Sequence, residues 1–227
     1  MASAWEADGL RPLEWSVSGE QVQILFSTRP DIQPDGIAAR AKGRLQHALR
    51  REGHPAEFQR NFSLQTVGAP HSGDVETYLR DQLQHGDFAD PRYRNALADL
   101  AFTDPTVSLV DARNSKSGRY VLAYHLVFVT SGRCRMPWAI AVKVQEAFRE
   151  VSEASDWKIA KFSLMPDHAH IAVRGVSGLS PLGIGERMRE ATSRKVGTFG
   201  FWMPTWYMGS FGKYGMGAVR ARQQLSE

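Results

Sequence analysis

The segment that most restricts the fold of this chain is 164–173, which carries two histidines two residues apart, His168 and His170. A β-strand places residues two apart on the same face of a sheet, so both imidazoles point to one side. Ile171 and Val173 point to the other side, where they can pack into a core. The pattern predicts a half-buried strand with two possible metal ligands on its open face. Two ordinary sheet histidines would give the same pattern, and the pair alone leaves that alternative open.

A second segment, 72–82, has the pattern of a helix that begins at a capping serine, Ser72. Tyr78 and Gln82 lie four residues apart in it and therefore share one face of that helix. A phenol hydroxyl, an amide oxygen and two imidazoles form a coherent chemical set, because a nucleophile then accompanies three ligands able to hold a divalent ion over a phosphate. None of the other tyrosines of the chain has a glutamine four residues later.

The order of motifs in the second half resembles that of a known family. Residues 124–130 read Tyr-His-Leu-Val-Phe-Val-Thr, residues 165–170 read Met-Pro-Asp-His-Ala-His, and an aromatic and glycine-containing stretch follows at 201–212. These segments resemble the ordered landmarks of the single-tyrosine HUH transposases of bacterial insertion sequences and their REP-associated relatives. The resemblance covers residues 118–227. The family's last landmark, a helix with the catalytic tyrosine and a glutamine four residues later, is absent there, because residues 218–224 contain no tyrosine.

An internal comparison relates the two halves of the chain. Residues 34–40 match residues 181–187 at four positions when the residue numbers differ by 147. The same difference places Gln21 and Gln23 opposite the two histidines. The first half thus has a counterpart of the histidine strand that lacks both imidazoles.

Further along the chain the difference between matching residue numbers becomes 144 and aligns 58–75 with 202–219. Tyr78 then falls opposite Arg222, and Gln82 opposite Ser226. The first copy keeps the tyrosine helix and the second keeps the histidines, so each copy holds half of one site. Few positions are identical, and a chance similarity between two amphipathic helices is the alternative explanation.

These comparisons predict an α+β fold in which an antiparallel sheet has helices on one face, the ferredoxin- or RRM-like HUH fold, built from two degenerate copies that form a pseudo-dimer. Residues 1–90 are expected to be a first, partial copy, 91–117 a linker, and 118–227 the second copy with element order β-α-β-β-α. In the family, the resemblance implies, one subunit of a homodimer supplies the histidines and the other the tyrosine. A fused pseudo-dimer, either monomeric or itself paired, can therefore keep one of its two sites.

Composition is that of an ordinary globular protein, with 42% hydrophobic and 23% charged residues. A net charge of +4 permits a polyanionic partner, although many basic soluble proteins have the same charge. One cysteine, Cys134, excludes a disulfide framework within the chain and favours a reducing compartment. The first residues lack the pattern of a signal peptide and no stretch is long and apolar enough for a membrane span, so we expect a cytoplasmic protein.

The predicted function is metal-dependent nicking and strand transfer of single-stranded DNA, by a transposase or a domesticated descendant. Tyr78 is expected to attack a DNA phosphate and keep its 5′ side, while His168, His170 and Gln82 hold the metal. The types of ligand alone allow Zn²⁺ or Mn²⁺, whereas the resemblance implies Mg²⁺ or Mn²⁺.

Two other residues of these motifs, Asp167 and His125, are expected to have structural roles. Asp167 is expected to point away from the histidine face and to serve only as a turn residue after Pro166. His125 lies on the face of its strand opposite Tyr124 and is also interpreted as structural.

The predicted partner is single-stranded DNA with hairpin structure. Basic residues on the two matched helices are candidate phosphate contacts: Arg40, Lys42, Arg44, Arg187, Arg189 and Arg194. Charged residues on a solvated helix face are the ordinary explanation for each of them. Two other classes of function stay open: a DNA-binding protein that recognises a hairpin but does not cut, and a metal-dependent phosphoesterase that uses water as its nucleophile.

Overall fold

The computed structural model describes residues 2–68, 91–116 and 118–212. The predicted tyrosine helix, with Tyr78 and Gln82, lies outside the described residues. The helices are α1 Ala2–Ala7, α2 Pro34–Arg51, α3 Pro91–Leu100, α4 Trp138–Glu153 and α5 Pro181–Val196. The strands are β1 Leu10–Ser18, β2 Gln21–Thr28, β3 Phe62–Gln65, β4 Phe102–Thr103, β5 Arg113–Asn114, β6 Gly118–Val121, β7 Ala123–Val129, β8 Lys158–Leu164, β9 His168–Arg174 and β10 Tyr207–Ser210.

The main sheet has five antiparallel strands in the order β10-β7-β9-β8-β4. Along the chain, β7, α4, β8, β9, α5 and β10 follow one another as β-α-β-β-α-β. With β7 and β9 at the centre of these strands, this is the ferredoxin-like arrangement. The predicted α+β fold and the predicted order of the second half are thereby confirmed, and β4 and β10 are additions that the sequence did not indicate.

One face of the main sheet packs against α4 and α5. Apolar side chains of the central strands are buried there with side chains of both helices: Tyr124, Leu126, Phe128, Ile171, Val173, Phe148, Ile184 and Met188. Because strand side chains alternate between faces, the intervening residues of β9 lie on the opposite, helix-free face. The alternation in the sequence therefore determines which side of the sheet carries the histidines.

Helix α5 has the start and stop signals that the sequence shows. The Ser180 hydroxyl accepts a hydrogen bond from the amide of Gly183 at 3.1 Å, and Pro181 occupies the first turn. Gly197 ends the helix in the left-handed conformation, with φ of 81°. None of the helices within the described residues is long and apolar enough to cross a membrane.

Residues 91–116, where the sequence analysis expects a linker, contain a helix and short strands that pack against the second half. Leu97 and Leu100 of α3 are buried in the core beneath the main sheet. Phe102 of β4 pairs with β8 at the edge of the same sheet. The linker-like composition near Ser115 instead belongs to a tight turn between β5 and β6, in which the Ser115 amide donates to the Gly118 carbonyl oxygen at 2.7 Å.

The first half repeats the end of the second half in its order of elements. The antiparallel hairpin β1–β2 is followed by α2 and β3, as the hairpin β8–β9 is followed by α5 and β10. The two helices both begin at a proline, Pro34 and Pro181. Strand β2 contains Gln21 and Gln23, the residues that the internal comparison places opposite the two histidines. The hairpin β1–β2 stands apart from the main sheet, and β3 pairs in parallel with β6.

Two glycines lie where the two halves touch. The Gly68 amide donates to the Gly212 carbonyl oxygen at 3.3 Å. A Cβ on Gly68 would overlap the Ser210 carbonyl oxygen, and a Cβ on Gly212 would overlap the Thr66 carbonyl oxygen. Gly68 and Gly212 differ in number by 144, as do Thr66 and Ser210, which is the difference found in the sequence comparison. The contact is therefore reciprocal, which is the property of an interface between two like units.

These glycines give a prediction about stability. Gly68→Ala and Gly212→Ala should each lower the free energy of unfolding by about 1–3 kcal/mol, because backbone atoms of the other half must move to admit the methyl group. Gly43→Ala is the matched control, since a Cβ there meets open space on α2 and alanine favours a helix by roughly 1 kcal/mol. Denaturant unfolding would measure all three, and wild-type stability in both junction variants would contradict the described contact.

Candidate metal centre

The two histidines lie on the central strand β9, on the face that carries no helix. Their ring centres are 5.0 Å apart, and the ring planes meet at 70°. His170 is buried, with 6% of its surface exposed, whereas the His168 side chain is partly open to solvent. His170 is thus enclosed by the protein, whereas His168 is accessible to solvent.

Asp167 contacts His168 directly. Its Oδ1 lies 2.6 Å from His168 Nδ1, and its Oδ2 accepts a hydrogen bond from Arg133 Nη1 at 3.3 Å. The expectation that Asp167 points away from the histidine face is therefore wrong. Asp167 precedes β9 in a bend, where the strict alternation of a strand does not apply, and its backbone carbonyl oxygen is held by the Thr130 amide at 2.8 Å.

His125 of β7 contacts the other histidine. His125 Nε2 lies 3.1 Å from His170 Nδ1, and the two rings are stacked with centres 5.3 Å apart. In the register of β7 with β9, His125 pairs with Ala172 and Val127 pairs with His170, so the two imidazoles are diagonal neighbours on one face. Sequence reasoning missed this role. The alternation of side chains along β7 predicts the face of the sheet on which His125 lies. It does not predict the pairing register that brings the His125 and His170 rings together.

The imidazoles of His125 and His170 are both electrically neutral at neutral pH. Burial lowers the pKa of His125 to about 4. Burial, together with repulsion from His125 and His168, lowers the pKa of His170 to about 3. One ring must then donate its single N–H to the unprotonated nitrogen of the other. Neutral imidazole is also the form that binds a metal ion.

These pKa shifts predict an acid-sensitive fold for the metal-free protein. Unfolded histidine has a pKa near 6.5, so between about pH 6.5 and 4 the unfolded chain takes up protons that the folded His125–His170 pair excludes. Stability should therefore be complete above that window and fall as the pH falls through it. His168 and the Tyr207 ring also face this pair. Thermal unfolding with a chelator present would measure the effect, and His125→Phe should flatten the dependence.

The separation of the His168 and His170 rings is that of two imidazoles on one metal ion. Each Nδ1 is engaged by a protein group, so Nε2 is the nitrogen of each ring that a metal would take. With metal–nitrogen bonds of about 2.1 Å, two imidazoles on one ion have ring centres about 5 Å apart, close to the separation found here. Within the described ranges, no group of three His, Cys, Asp or Glu side chains is arranged to hold an ion.

The candidate DNA contacts on α2 are bound within the protein. Arg40 Nη1 donates to the Asp8 carbonyl oxygen, and Arg44 Nε to Asp8 Oδ2, both at 2.7 Å. Lys42 Nζ donates to the carbonyl oxygens of residues 59–61 and lies over the Phe62 ring. These three side chains fasten α2 to neighbouring segments of the first half.

The candidates on α5 are more accessible. The Arg189 guanidinium lies over the Trp206 ring, 4.9 Å from its centre. Arg194 pairs with Glu190 at 2.6 Å on the exposed surface, and Arg187 is exposed. Arg187 and Arg194 are therefore open to solvent.

The comparison with protein-family models agrees with the sequence resemblance. Residues 119–220 match the family model described as transposase, IS200-like. Among curated protein sequences no match was found. A solved structure of a proposed transposase from Deinococcus radiodurans R1 is 14% identical with a TM-score of 0.36, over 55% of this chain and 95% of that one. A REP-associated tyrosine transposase bound to a REP hairpin is 13% identical with a TM-score of 0.35, over 44% of this chain and 61% of that one.

The matched region contains β7, β9 and the whole histidine pair with its partners His125 and Asp167. The same region contains all the elements of the ferredoxin-like arrangement, which are β7, α4, β8, β9, α5 and β10. The part of the chain at residues 119–220, which carries the candidate metal centre, therefore matches the model of the IS200-like transposase family.

Proposed function

We propose that the chain is a metal-dependent enzyme that nicks single-stranded DNA and transfers strands through a 5′-phosphotyrosine intermediate. The match of residues 119–220 to the IS200-like transposase model supports a transposase-like function in DNA processing. The observation that carries the finer proposal is the geometry of His168 and His170, whose rings share the open face of a central strand at a separation suited to one ion.

The active site in this proposal is composite. Tyr78 and Gln82 come from the first half, and the histidines come from the second. Support comes from the repeated hairpin-helix-strand order of the two halves and from the reciprocal contact of Gly68 and Gly212. Residues 1–90 are then a partial copy, and the second copy begins near residue 91, because α3 and β4 pack into its core.

The proposed reaction is a transesterification at one DNA phosphate. The Tyr78 oxygen forms a bond to phosphorus and loses its proton, while the bond from phosphorus to the 3′ oxygen breaks and that oxygen leaves as a hydroxyl after taking up a proton. A 3′ hydroxyl of DNA can reverse the step and join a new strand. His168, His170 and Gln82 would hold Mg²⁺ or Mn²⁺, which when bound polarises the phosphate and stabilises its developing charge.

The proposed partner is single-stranded DNA that carries a hairpin, bound by a chain that acts as a monomeric pseudo-dimer or as a pair of such chains. Exposed Arg187 on α5 and Arg133, whose side chain is 71% exposed beside Asp167, provide positive charge on the second half. Contacts of this kind neutralise phosphates and make binding weaken as salt concentration rises.

A labelling experiment tests this function. A pool of single-stranded oligonucleotides, each with a hairpin and random flanks and labelled at the 3′ end, is incubated with the protein and Mn²⁺ and separated under denaturing conditions. The label should move with the protein, because the tyrosine keeps the 5′ phosphate of the 3′ fragment. A chelator should prevent the shift. Shortened DNA without an adduct would indicate water as the nucleophile, and binding without cleavage would indicate a protein that only recognises the hairpin.

A further inference from the structure

The candidate metal centre has a second layer that the sequence motif does not contain. His168 Nδ1 lies 2.6 Å from a carboxylate oxygen of Asp167, and His170 Nδ1 lies 3.1 Å from His125 Nε2. The Nδ1 atom of each ring therefore has its own partner, a carboxylate for His168 and an imidazole for His170. A nitrogen engaged by an acceptor keeps its proton, so the ring's other nitrogen carries the lone pair.

We propose that Asp167 and His125 are positioning residues, which hold His168 and His170 as Nδ1–H tautomers with Nε2 of each ring directed at one divalent ion. The inference rests on the proposed role of the two histidines as metal ligands. It assigns a role to two side chains that touch neither the metal nor the DNA.

The Asp167 carboxylate is itself fixed at both oxygens. Oδ1 faces His168, and Oδ2 accepts from Arg133 Nη1 at 3.3 Å. Arg133 has a positive φ of 52°, a conformation that non-glycine residues rarely adopt. A carboxylate held this way fixes the orientation of the imidazole and makes Nε2 a better donor to a metal.

His125 is fixed by the rings around it. Phe211 stacks on it at 5.6 Å between centres, with a 21° angle between planes, and Tyr207 meets it edge-on at 5.6 Å. Phe211 is buried, with 1% of its surface exposed, and its amide donates to the Ala123 carbonyl oxygen at 3.0 Å. Because His125 must present an unprotonated Nε2 to a donating His170, it too must be the Nδ1–H tautomer. Its lowered pKa agrees with a neutral ring.

The first test needs no metal and no activity. Long-range proton–nitrogen NMR spectra of the metal-free, nitrogen-15-labelled protein, recorded above the ordinary imidazole pKa of about 6.5, distinguish the two tautomers of each ring. Single histidine substitutions assign the signals. We expect His125, His168 and His170 to be Nδ1–H tautomers, while exposed His47 on α2 shows the averaged signals of a ring in water. Nε2–H tautomers at both His168 and His170 would overturn the proposal.

The second test measures Mn²⁺ affinity by electron paramagnetic resonance. Asp167→Ala and His125→Phe should each weaken binding about 10- to 100-fold, the usual effect of removing such a partner. Asp167→Asn keeps an oxygen acceptor and should recover part of the loss, which a merely structural role does not predict. Asp99→Ala and His47→Phe, at exposed positions on helices, are the matched controls and should bind as wild type does.

The two tests separate this inference from the proposed function. If wild type binds Mn²⁺ and both positioning variants bind it equally well, His125 and Asp167 do not act on the metal and the inference is wrong. If wild type does not bind Mn²⁺, the proposed function fails. The tautomers in the metal-free protein still decide whether the two partners orient the rings.

Discussion

The Tyr78→Phe protein is expected to form no covalent adduct with DNA while binding the same DNA almost as tightly as wild type. The proposed nucleophile is the hydroxyl, and phenylalanine removes only that group. Because the ring is kept, the free energies of folding and of DNA binding should each change by less than about 1.5 kcal/mol. Gel separation of the labelled adduct and a DNA-binding titration would measure the two effects.

Tyr207→Phe is the informative control for that experiment. Tyr207 lies on β10, its side chain is exposed, and its ring contacts His125 beside the metal centre. It should retain adduct formation, since its hydroxyl has no role in the proposal. Adduct formation by the Tyr78→Phe protein would show that the nucleophile is another group. Continued hydrolysis without an adduct would point to the water-using phosphoesterase.

Replacing either histidine by alanine should have the second large effect. His168→Ala and His170→Ala remove an imidazole ligand each, so Mn²⁺ binding and DNA cleavage should both be lost or nearly so. Gln82→Ala should do the same less severely, because a neutral amide is the weakest donor of the three. DNA affinity measured with a chelator present should stay close to that of wild type. In the proposal the two histidines bind the metal ion and do not themselves contact a DNA phosphate.

His47→Ala is the control for those variants, since His47 is exposed on α2. His170 is buried against His125, and its removal also leaves a small cavity, so the His170 variant needs a parallel measurement of thermal stability. A folded His170→Ala protein that cleaves DNA at the wild-type rate would contradict the assignment of the metal ligands.

Local sequence signals account for the ends of the two matched helices. Helix α2 begins at Pro34 and ends at Arg51, with Gly53 just beyond it, and α5 begins directly after the Ser180 cap. Strand β10 was missed because its four residues include a glycine and show no clear alternation. Strand β4 was missed because it has only two residues. Such short strands form because a sheet edge is available, which no local pattern reports.

Of the described residues of the candidate site, only the two proposed metal ligands could be predicted from the sequence. The period of two in β9 placed His168 and His170 on one face, and the structure places them there. Their partners depend on features with no local signature. His125 reaches His170 through the register of β7 against β9, and Asp167 turns toward His168 because it sits in a bend just before the strand. Contacts set by register and by irregular backbone need the folded structure.

The central claim is that one active site is shared between the two halves of a single chain. Its most direct test is to digest the covalent protein–DNA adduct and identify the modified residue by mass spectrometry. The composite site predicts one modified residue, Tyr78, in the half that lacks the histidines. An adduct at Tyr207 or Tyr214 would contradict the claim, because the second half would then supply both the nucleophile and the metal ligands by itself.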